Sequence, residues 1–182
     1  MSEAEAWLSG RAPAEPPTTV VWGRDKHILR LSLYATGDET PDALTTSVRG
    51  VLFKGRRVMV VRDPPGDHVI PGGRREPGET LMQTLEREIA EETGWRFSEA
   101  RRFGALHFRH ETPRPHAYPY PHPHFFQPLY RLEASDHDRR RIVRDGWETR
   151  SRMTPIARAF ATLGGEQTAI LRLALAACHG RG

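Results

Sequence analysis

Three glutamates that fall close together are the strongest chemical signal in this sequence. Glu88, Glu91 and Glu92 are related by spacings of three and four residues, so on an α-helix their carboxylates share one patch of surface. Like charges at such spacings repel one another. A divalent cation binds carboxylate oxygens readily and would convert this repulsion into coordination. A solvated acidic helix face is the alternative interpretation.

The residues around these glutamates are typical of a loop followed by a helix. We predict a helix from about Glu79 to Thr93, and Gly94 suits the left-handed position that closes it. Four apolar side chains fall on the neighbouring arc and would bury against a sheet: Leu81, Met82, Leu85 and Ile89. Before the helix, the pair Gly72-Gly73 favours a tight bend that exposes a backbone carbonyl. Arg87 lies eight residues after Glu79 and could tie the helix to this entry loop.

The segment from Gly73 to Trp95 resembles the Nudix box, G-x5-E-x7-R-E-U-x-E-E-x-G-U, in which U is apolar. Every fixed position is filled, and Ile89 and Trp95 occupy the two apolar positions. The resemblance implies the α/β Nudix fold, in which a mixed β-sheet is sandwiched between α-helices. It also implies an enzyme that uses Mg²⁺ or Mn²⁺ to hydrolyse a diphosphate linkage in a nucleoside diphosphate derivative.

The resemblance leaves the substrate open. A nucleotide sugar, a dinucleotide and a nucleoside triphosphate all carry the required diphosphate linkage. A catalytically weak Nudix-fold module that binds nucleotides in a regulatory role is the alternative, and the intact box argues against it.

Carried over residue by residue, the resemblance assigns roles within the box. The metal ligands would be the backbone carbonyl of Gly72 and the carboxylates of Glu88, Glu91 and Glu92. The structural residues would be Gly73, Glu79, Arg87 and Gly94, with Arg87 paired with Glu79. The general base is either Glu91 or a glutamate of a later loop, for which the candidates are Glu111, Glu133 and, above all, Glu148.

Residues 107–130 are unusually rich in histidine, tyrosine and proline. One interpretation is a substrate loop in which aromatic rings stack on a nucleobase, with Tyr118, Tyr120 and Phe125 as the candidates. A second is a separate metal site at His122 and His124. The third is a connection stiffened by prolines, with histidines on its surface.

The composition restricts the class of protein. The chain has 182 residues, of which 37% are hydrophobic and 27% charged, which is typical of one soluble globular domain. The net charge is +4 with arginines scattered along the chain, so we expect a small nucleotide substrate rather than a nucleic acid. The single cysteine, Cys178, excludes an intramolecular disulfide and fits a reducing compartment. No signal peptide or membrane span is visible, so a cytoplasmic location is expected.

The order of predicted elements is typical of a single mixed sheet covered by helices. We expect a flexible N-terminal segment over residues 1–19 and a single Nudix hydrolase domain over 20–182. A homodimer is expected by analogy with relatives. The predicted strands are 27–36, 46–53, 57–62, 103–109, 125–133 and a short one near 147–153, and the predicted C-terminal helices are 155–163 and 166–178.

Overall fold

The computed structural model describes residues 1–22, 26–64, 66–114, 116, 118, 120–143 and 150–177. The strands in this part of the chain are β1 (Thr18–Trp22), β2 (His27–Ala35), β3 (Ser47–Lys54), β4 (Arg57–Asp63), β5 (Gly66–His68), β6 (Gly72–Arg74), β7 (Trp95–His110), β8 (His124–His137) and β9 (Arg150–Pro155). The helices are α1 (Glu3–Leu8), α2 (Leu81–Thr93), α3 (Ile156–Thr162) and α4 (Gly165–Ala176), and short 3-10 turns lie at Asp42–Leu44 and Arg139–Arg141.

The strands form one mixed sheet. Its order is β1-β2-β7-β8-β3-β4-β5, with β6 paired with β3 and β9 paired with β4. The pairing of β3 with β8 is parallel, whereas β3 and β4 form an antiparallel hairpin. The predicted strands 46–53 and 57–62 correspond to β3 and β4, and the structure confirms both.

Helices cover both faces of the sheet. Side chains alternate along a strand, so neighbouring residues of β3 and β4 enter different cores. The core under α2 contains Val48, Leu52, Met59, Val61, Leu85 and Ile89. The core under α3 and α4 contains Val51, Phe53, Val58, Val60, Ala159, Ile170 and Leu171. A mixed sheet between helices was the predicted fold class, and it is confirmed.

Helix α2 is delimited by residue types that stop a helix at each end. Thr80 is its N-cap, and a capping box joins it to Gln83: the Gln83 N–H donates to Thr80 Oγ1 (3.2 Å) and the Thr80 N–H donates to Gln83 Oε1 (2.8 Å). Gly94 closes the helix in the predicted left-handed conformation, with φ of 73°. Glu79 therefore lies before the helix rather than in its first turn.

The N-terminal residues differ from the flexible segment expected over 1–19. Residues 3–8 form α1, and its Ala4 and Trp7 are buried. The Trp7 ring packs edge-on against Phe126 at 4.8 Å and Tyr34 at 5.4 Å between centroids. Its indole N–H donates to the carbonyl oxygen of Glu39 (2.7 Å). The helix is short, but this one large side chain fixes it to the sheet.

No helix in the described part of the chain is both long enough and apolar enough to cross a membrane.

Candidate active site

Two glycines bring the entry loop close to α2. Gly72 has φ of 135°, and a Cβ there would overlap the carbonyl oxygen of Val48 on the neighbouring strand. A Cβ on Gly73 would overlap the carboxylate of Glu88. The Glu88 side chain, which is only 16% exposed, therefore lies directly on the bare backbone of Gly73. Glycine at these two positions allows strand β6 and the acidic face of α2 to meet.

Arg87 connects the acidic side chains of the box. Its Nε and Nη2 donate to the two carboxylate oxygens of Glu79 at 2.8 and 3.0 Å, which is a bidentate ion pair. Its Nη1 donates to Glu88 Oε1 (2.8 Å) and to Glu91 Oε2 (3.3 Å). Nη2 also donates to the carbonyl of Arg74 in β6 (3.1 Å). The predicted pair between Glu79 and Arg87 is present, and the same guanidinium offsets part of the repulsion between Glu88 and Glu91.

Glu79 is the best-satisfied carboxylate of the box. Besides Arg87, it accepts hydrogen bonds from the N–H of Glu76 (3.1 Å) and the hydroxyl of Thr84 (2.8 Å). These bonds, those from Arg87 foremost, lower the pKa of Glu79 to about 2. Glu79 is therefore a permanent anion that fixes the guanidinium, in keeping with the structural role that the resemblance implies.

Glu88 has a different electrostatic environment. Its burial raises the pKa of the carboxyl, while the hydrogen bond and positive charge of Arg87 oppose this effect and the charge of Glu91 adds to it. A half-buried carboxylate with a negative neighbour is poorly stabilised as an anion. A cation bound at this position would stabilise the anionic form of Glu88 and would therefore be favoured.

Glu92 contacts the entry loop from the last turn of α2. The N–H of Gly72 donates to both of its carboxylate oxygens at 3.2 Å. The carbonyl of Gly72 accepts a hydrogen bond from Nη1 of Arg49 in β3, and a carbonyl oxygen has a second lone pair for another partner. The structure thus brings Glu88 and Glu91 to one guanidinium and Glu92 to the backbone of Gly72.

These residues fit a magnesium or manganese ion by their chemistry. The donor set consists only of carboxylate and carbonyl oxygens, which are the ligands that such hard cations prefer. The contact of Glu88 with Gly73 holds one carboxylate against the residue that follows Gly72. Within the described ranges, no three side chains of His, Cys, Asp or Glu are already grouped as ligands of one metal ion.

Arg49 was missed by the sequence reasoning. It lies in a strand whose other residues are mostly buried and apolar, and its Nε is buried without a hydrogen-bond partner. A lone arginine within the apolar run 46–53 was the available signal, because a charge in a buried strand needs a local reason. The structure shows that reason, which is the contact with the Gly72 carbonyl.

The candidates for a general base outside the box are Glu148, Glu133 and Glu111, and they differ in their surroundings. Glu148 lies outside the described residues. Glu133 forms an ion pair with Arg131, and Glu111 forms one with Arg109 at 3.5 Å. Each of these two glutamates therefore has a local partner on its own strand or beside it.

The three aromatic candidates for substrate binding differ in their burial. Phe125 is 3% exposed and stacks on Phe108 at 4.7 Å between parallel rings, so it belongs to the core and cannot stack on a nucleobase. This part of the prediction is wrong because Phe125 faces inward on β8. Tyr118 and Tyr120 are half-buried, and the Tyr118 hydroxyl lies 3.1 Å from Nε2 of His110.

The histidines of this region pack against one another. Nε2 of His107 and Nδ1 of His124 are 2.9 Å apart, and the rings of His110 and His122 lie 4.8 Å apart between centroids. The separate metal site considered for His122 and His124 finds no group of three ligands among the described residues. His107 and His110 of β7 are buried, whereas His116 of the connection is exposed.

Comparison with known proteins agrees with this architecture. Among solved structures, the chain is similar to a mutant of a pyrophosphohydrolase from Bacillus subtilis, at 14% sequence identity and a TM-score of 0.58, with 91% of this chain and 98% of that chain covered. It is also similar to a NUDIX hydrolase from Nitrosomonas europaea, at 20% identity and a TM-score of 0.55, with 73% and 90% covered. The NUDIX domain family model matches residues 43–169. The chain belongs to the NUDIX domain family.

Proposed function

We propose that this chain is a metal-dependent pyrophosphohydrolase that cleaves a diphosphate linkage in a nucleotide sugar, a dinucleotide or a nucleoside triphosphate. One observation carries this proposal: a complete Nudix box whose carboxylates surround the Gly72-Gly73 bend. Arg87 holds Glu88 and Glu91 from one side, and the Gly72 N–H holds Glu92 from the other.

Glu88, Glu91, Glu92 and the Gly72 carbonyl are the groups that would hold Mg²⁺ or Mn²⁺. When bound, such a cation would neutralise charge on the diphosphate oxygens and lower the pKa of a water. Arg87 would keep the carboxylates in place, since its bidentate bond to Glu79 leaves Nη1 aimed at Glu88 and Glu91.

The remaining chemistry needs a base. In hydrolysis the water oxygen forms a bond to one phosphorus, the bridging P–O bond breaks, and the bridging oxygen leaves with the other phosphate. A carboxylate takes the proton of the water. Glu91 is one candidate, because its side chain is 37% exposed and it has a single described ion-pair partner, Arg87. Glu148 is the other.

A nucleotide panel assayed with Mg²⁺ or Mn²⁺ tests the proposal. Glu92→Gln should lower turnover at least about a hundredfold, as for loss of a group used in the transition state. Glu86→Gln is the matched control, because Glu86 lies on the same helix and is exposed. Of Glu91→Gln and Glu148→Gln, the variant that loses turnover while keeping metal affinity identifies the base. Nucleotide binding without turnover in the wild type would instead favour the regulatory module.

Tyr118 and Tyr120 remain candidates for substrate contact. The Tyr120 ring lies 4.0 Å from the guanidinium carbon of Arg74, and its hydroxyl accepts a hydrogen bond from the same side chain. Arg74 directly follows Gly73 within the box, so Tyr120 contacts the box itself. This proximity supports a role beside the substrate.

The substrate size, the location in the cell and the oligomeric state of the enzyme are also proposals. A small nucleotide as the substrate follows from the family, and a cytoplasmic location is supported by the single cysteine of the chain. A homodimer rests on analogy with relatives alone.

A further inference from the structure

Strands β4 and β9 place arginines directly opposite one another. In their antiparallel register Arg62 pairs with Arg150, and Val60 pairs with Arg152. Directly paired residues of antiparallel strands project on the same face of a sheet. The three arginines therefore share one face, and two of them form a like-charged cross-strand pair, which is unfavourable unless an anion compensates it.

One carboxylate offsets part of this charge. Asp67 of β5 forms an ion pair with Arg62 at 2.6 Å, and its side chain is 11% exposed. The hydrogen bond from Arg62, with a smaller effect of the charge on Arg152, lowers the pKa of Asp67. Within the described part of the chain, neither Arg150 nor Arg152 has a carboxylate within ion-pair distance. Arg150 and Arg152 therefore add positive charge beside the Arg62–Asp67 ion pair.

The arginines line a cleft. Its volume is about 150 Å³, and the described residues that line it are Val60, Arg62, Asp67, Arg150 and Arg152. This is several times the roughly 30 Å³ that one water occupies, so a tetrahedral phosphate has room. Guanidinium groups bind phosphate oxygens through paired N–H donors. The charge, the donors and the size all match one phosphate group.

The cleft adjoins a larger cavity beside the box. Arg150 and Arg152 also border a cavity of about 740 Å³, whose wall includes Glu92 and Thr93 at the end of α2. That volume lies in the range of about 300–1,000 Å³ of small-molecule sites. Arg150 and Arg152 are therefore shared by the walls of the two cavities.

We propose that Arg62, Arg150 and Arg152 form a phosphate-binding site separate from the carboxylates of the box. The phosphate comes either from the substrate, beyond the diphosphate that is hydrolysed, or from free inorganic phosphate or pyrophosphate. The substrate source rests on the proposed function, since it requires turnover at the box. It would make nucleoside triphosphates better substrates than nucleotide sugars whose second group is uncharged.

Binding of pyrophosphate to the protein without divalent metal tests the site independently of turnover. Calorimetry should show binding to the wild type, and Arg150→Gln and Arg152→Gln should each weaken it about tenfold, the usual effect of losing a hydrogen bond between charged groups. Asp67→Asn should strengthen binding, because it removes the competing carboxylate. Arg158→Gln, an exposed arginine of α3, is the matched control and should leave binding unchanged.

Steady-state kinetics then distinguish the two sources. If the phosphate belongs to the substrate, the arginine variants should raise KM for a nucleoside triphosphate about tenfold and leave that for ADP-ribose unchanged. If only pyrophosphate binding changes, the site takes the free anion. The absence of wild-type binding, or equal binding by the wild type and the two arginine variants, overturns the proposal. A wild type that binds pyrophosphate but hydrolyses nothing refutes the proposed function and leaves the free-anion site supported.

Discussion

Arg87 explains how helix α2 can carry four glutamates. Its guanidinium has five N–H donors in a rigid plane, and the structure uses them on Glu79, Glu88, Glu91 and the carbonyl of Arg74. These partners raise the pKa of Arg87 above its ordinary value, with its hydrogen bonds to Glu79 as the main cause. A single positive charge without this planar set of donors could bind only one or two of these acceptors.

We expect Arg87→Ala to lower both Tm and activity. The Tm should fall by several degrees, because half-buried carboxylates lose their only described guanidinium partner. Arg87→Lys should recover little, since an ammonium group cannot form the bidentate bond to Glu79. Thermal unfolding and the nucleotide assay measure the two effects.

The control for this prediction is another arginine close by in the chain. Arg75 pairs with Asp42, whose side chain is 77% exposed, and such surface pairs contribute little. Arg75→Ala should therefore leave Tm nearly unchanged. If Arg87→Ala behaved in the same way, the structural role of Arg87 would be wrong and a direct role at the site would remain.

At the scale of elements, the sequence predicted α2 well because its signals are local. Apolar spacing identified the helix, and glycine at position 94 marked its end. Its start was placed too early because the capping box of Thr80 and Gln83 was overlooked. The proximity of Arg49 to Gly72 could not be predicted, since it depends on the pairing of β3 with β6, two strands separated by the hairpin.

The long strands β7 and β8 show a second limit of prediction from the sequence, which concerns where a strand begins and ends. Residues 103–109 and 125–133 were predicted, whereas the strands span Trp95–His110 and His124–His137. The additional residues alternate only briefly, as in Trp95-Arg96-Phe97-Ser98, and the alternation breaks where the register of the two strands shifts. The two strands pair across these register irregularities. Backbone pairing at a sheet margin leaves a weak signal in the side chains.

The attachment of helix α1 to the sheet through Trp7 can be tested by substitution. Trp7→Ala should lower the free energy of unfolding by about 3 kcal/mol, as for truncation of a large buried aromatic side chain. Glu3→Gln, an exposed change on the same helix, should have little effect. Chemical denaturation measures both. A Trp7→Ala variant as stable as the wild type would mean that residues 1–19 are a loosely attached segment after all.

At the scale of the whole molecule, buried histidines link folding to pH. His107 is 5% exposed, and its ring stacks on His124 at 5.1 Å and packs against Phe126 at 4.9 Å. Burial, together with the charges of His124 and Arg109, lowers the pKa of His107 to about 4. The pKa values of His110 and His124 are lowered by burial as well. These rings are therefore neutral in the folded protein at neutral pH.

The direction in which stability changes with pH follows from the linkage between folding and proton binding. An unfolded histidine takes up a proton near about pH 6.5, whereas folded His107 does so only near 4. The unfolded state thus binds more protons between these values, and stability falls as the pH falls through that interval. Carboxylates with a lowered pKa, such as Glu79, lose their contribution only below their unfolded value of about 4.5. Among the groups with a lowered pKa, the histidines rather than these carboxylates therefore set the pH dependence between roughly pH 6.5 and 5.

We expect the unfolding free energy of the wild type to decrease from about pH 7 to about pH 5. His107→Gln should show a shallower decrease, because a neutral amide replaces a group that titrates only in the unfolded state. His116→Gln is the control: His116 is exposed, so its substitution should leave the slope unchanged. Urea unfolding at intervals of pH measures the slopes. Identical slopes for His107→Gln and the wild type would show that protonation of His107 is not linked to folding, and the stacked pair with His124 would then be open enough to accept a proton without unfolding.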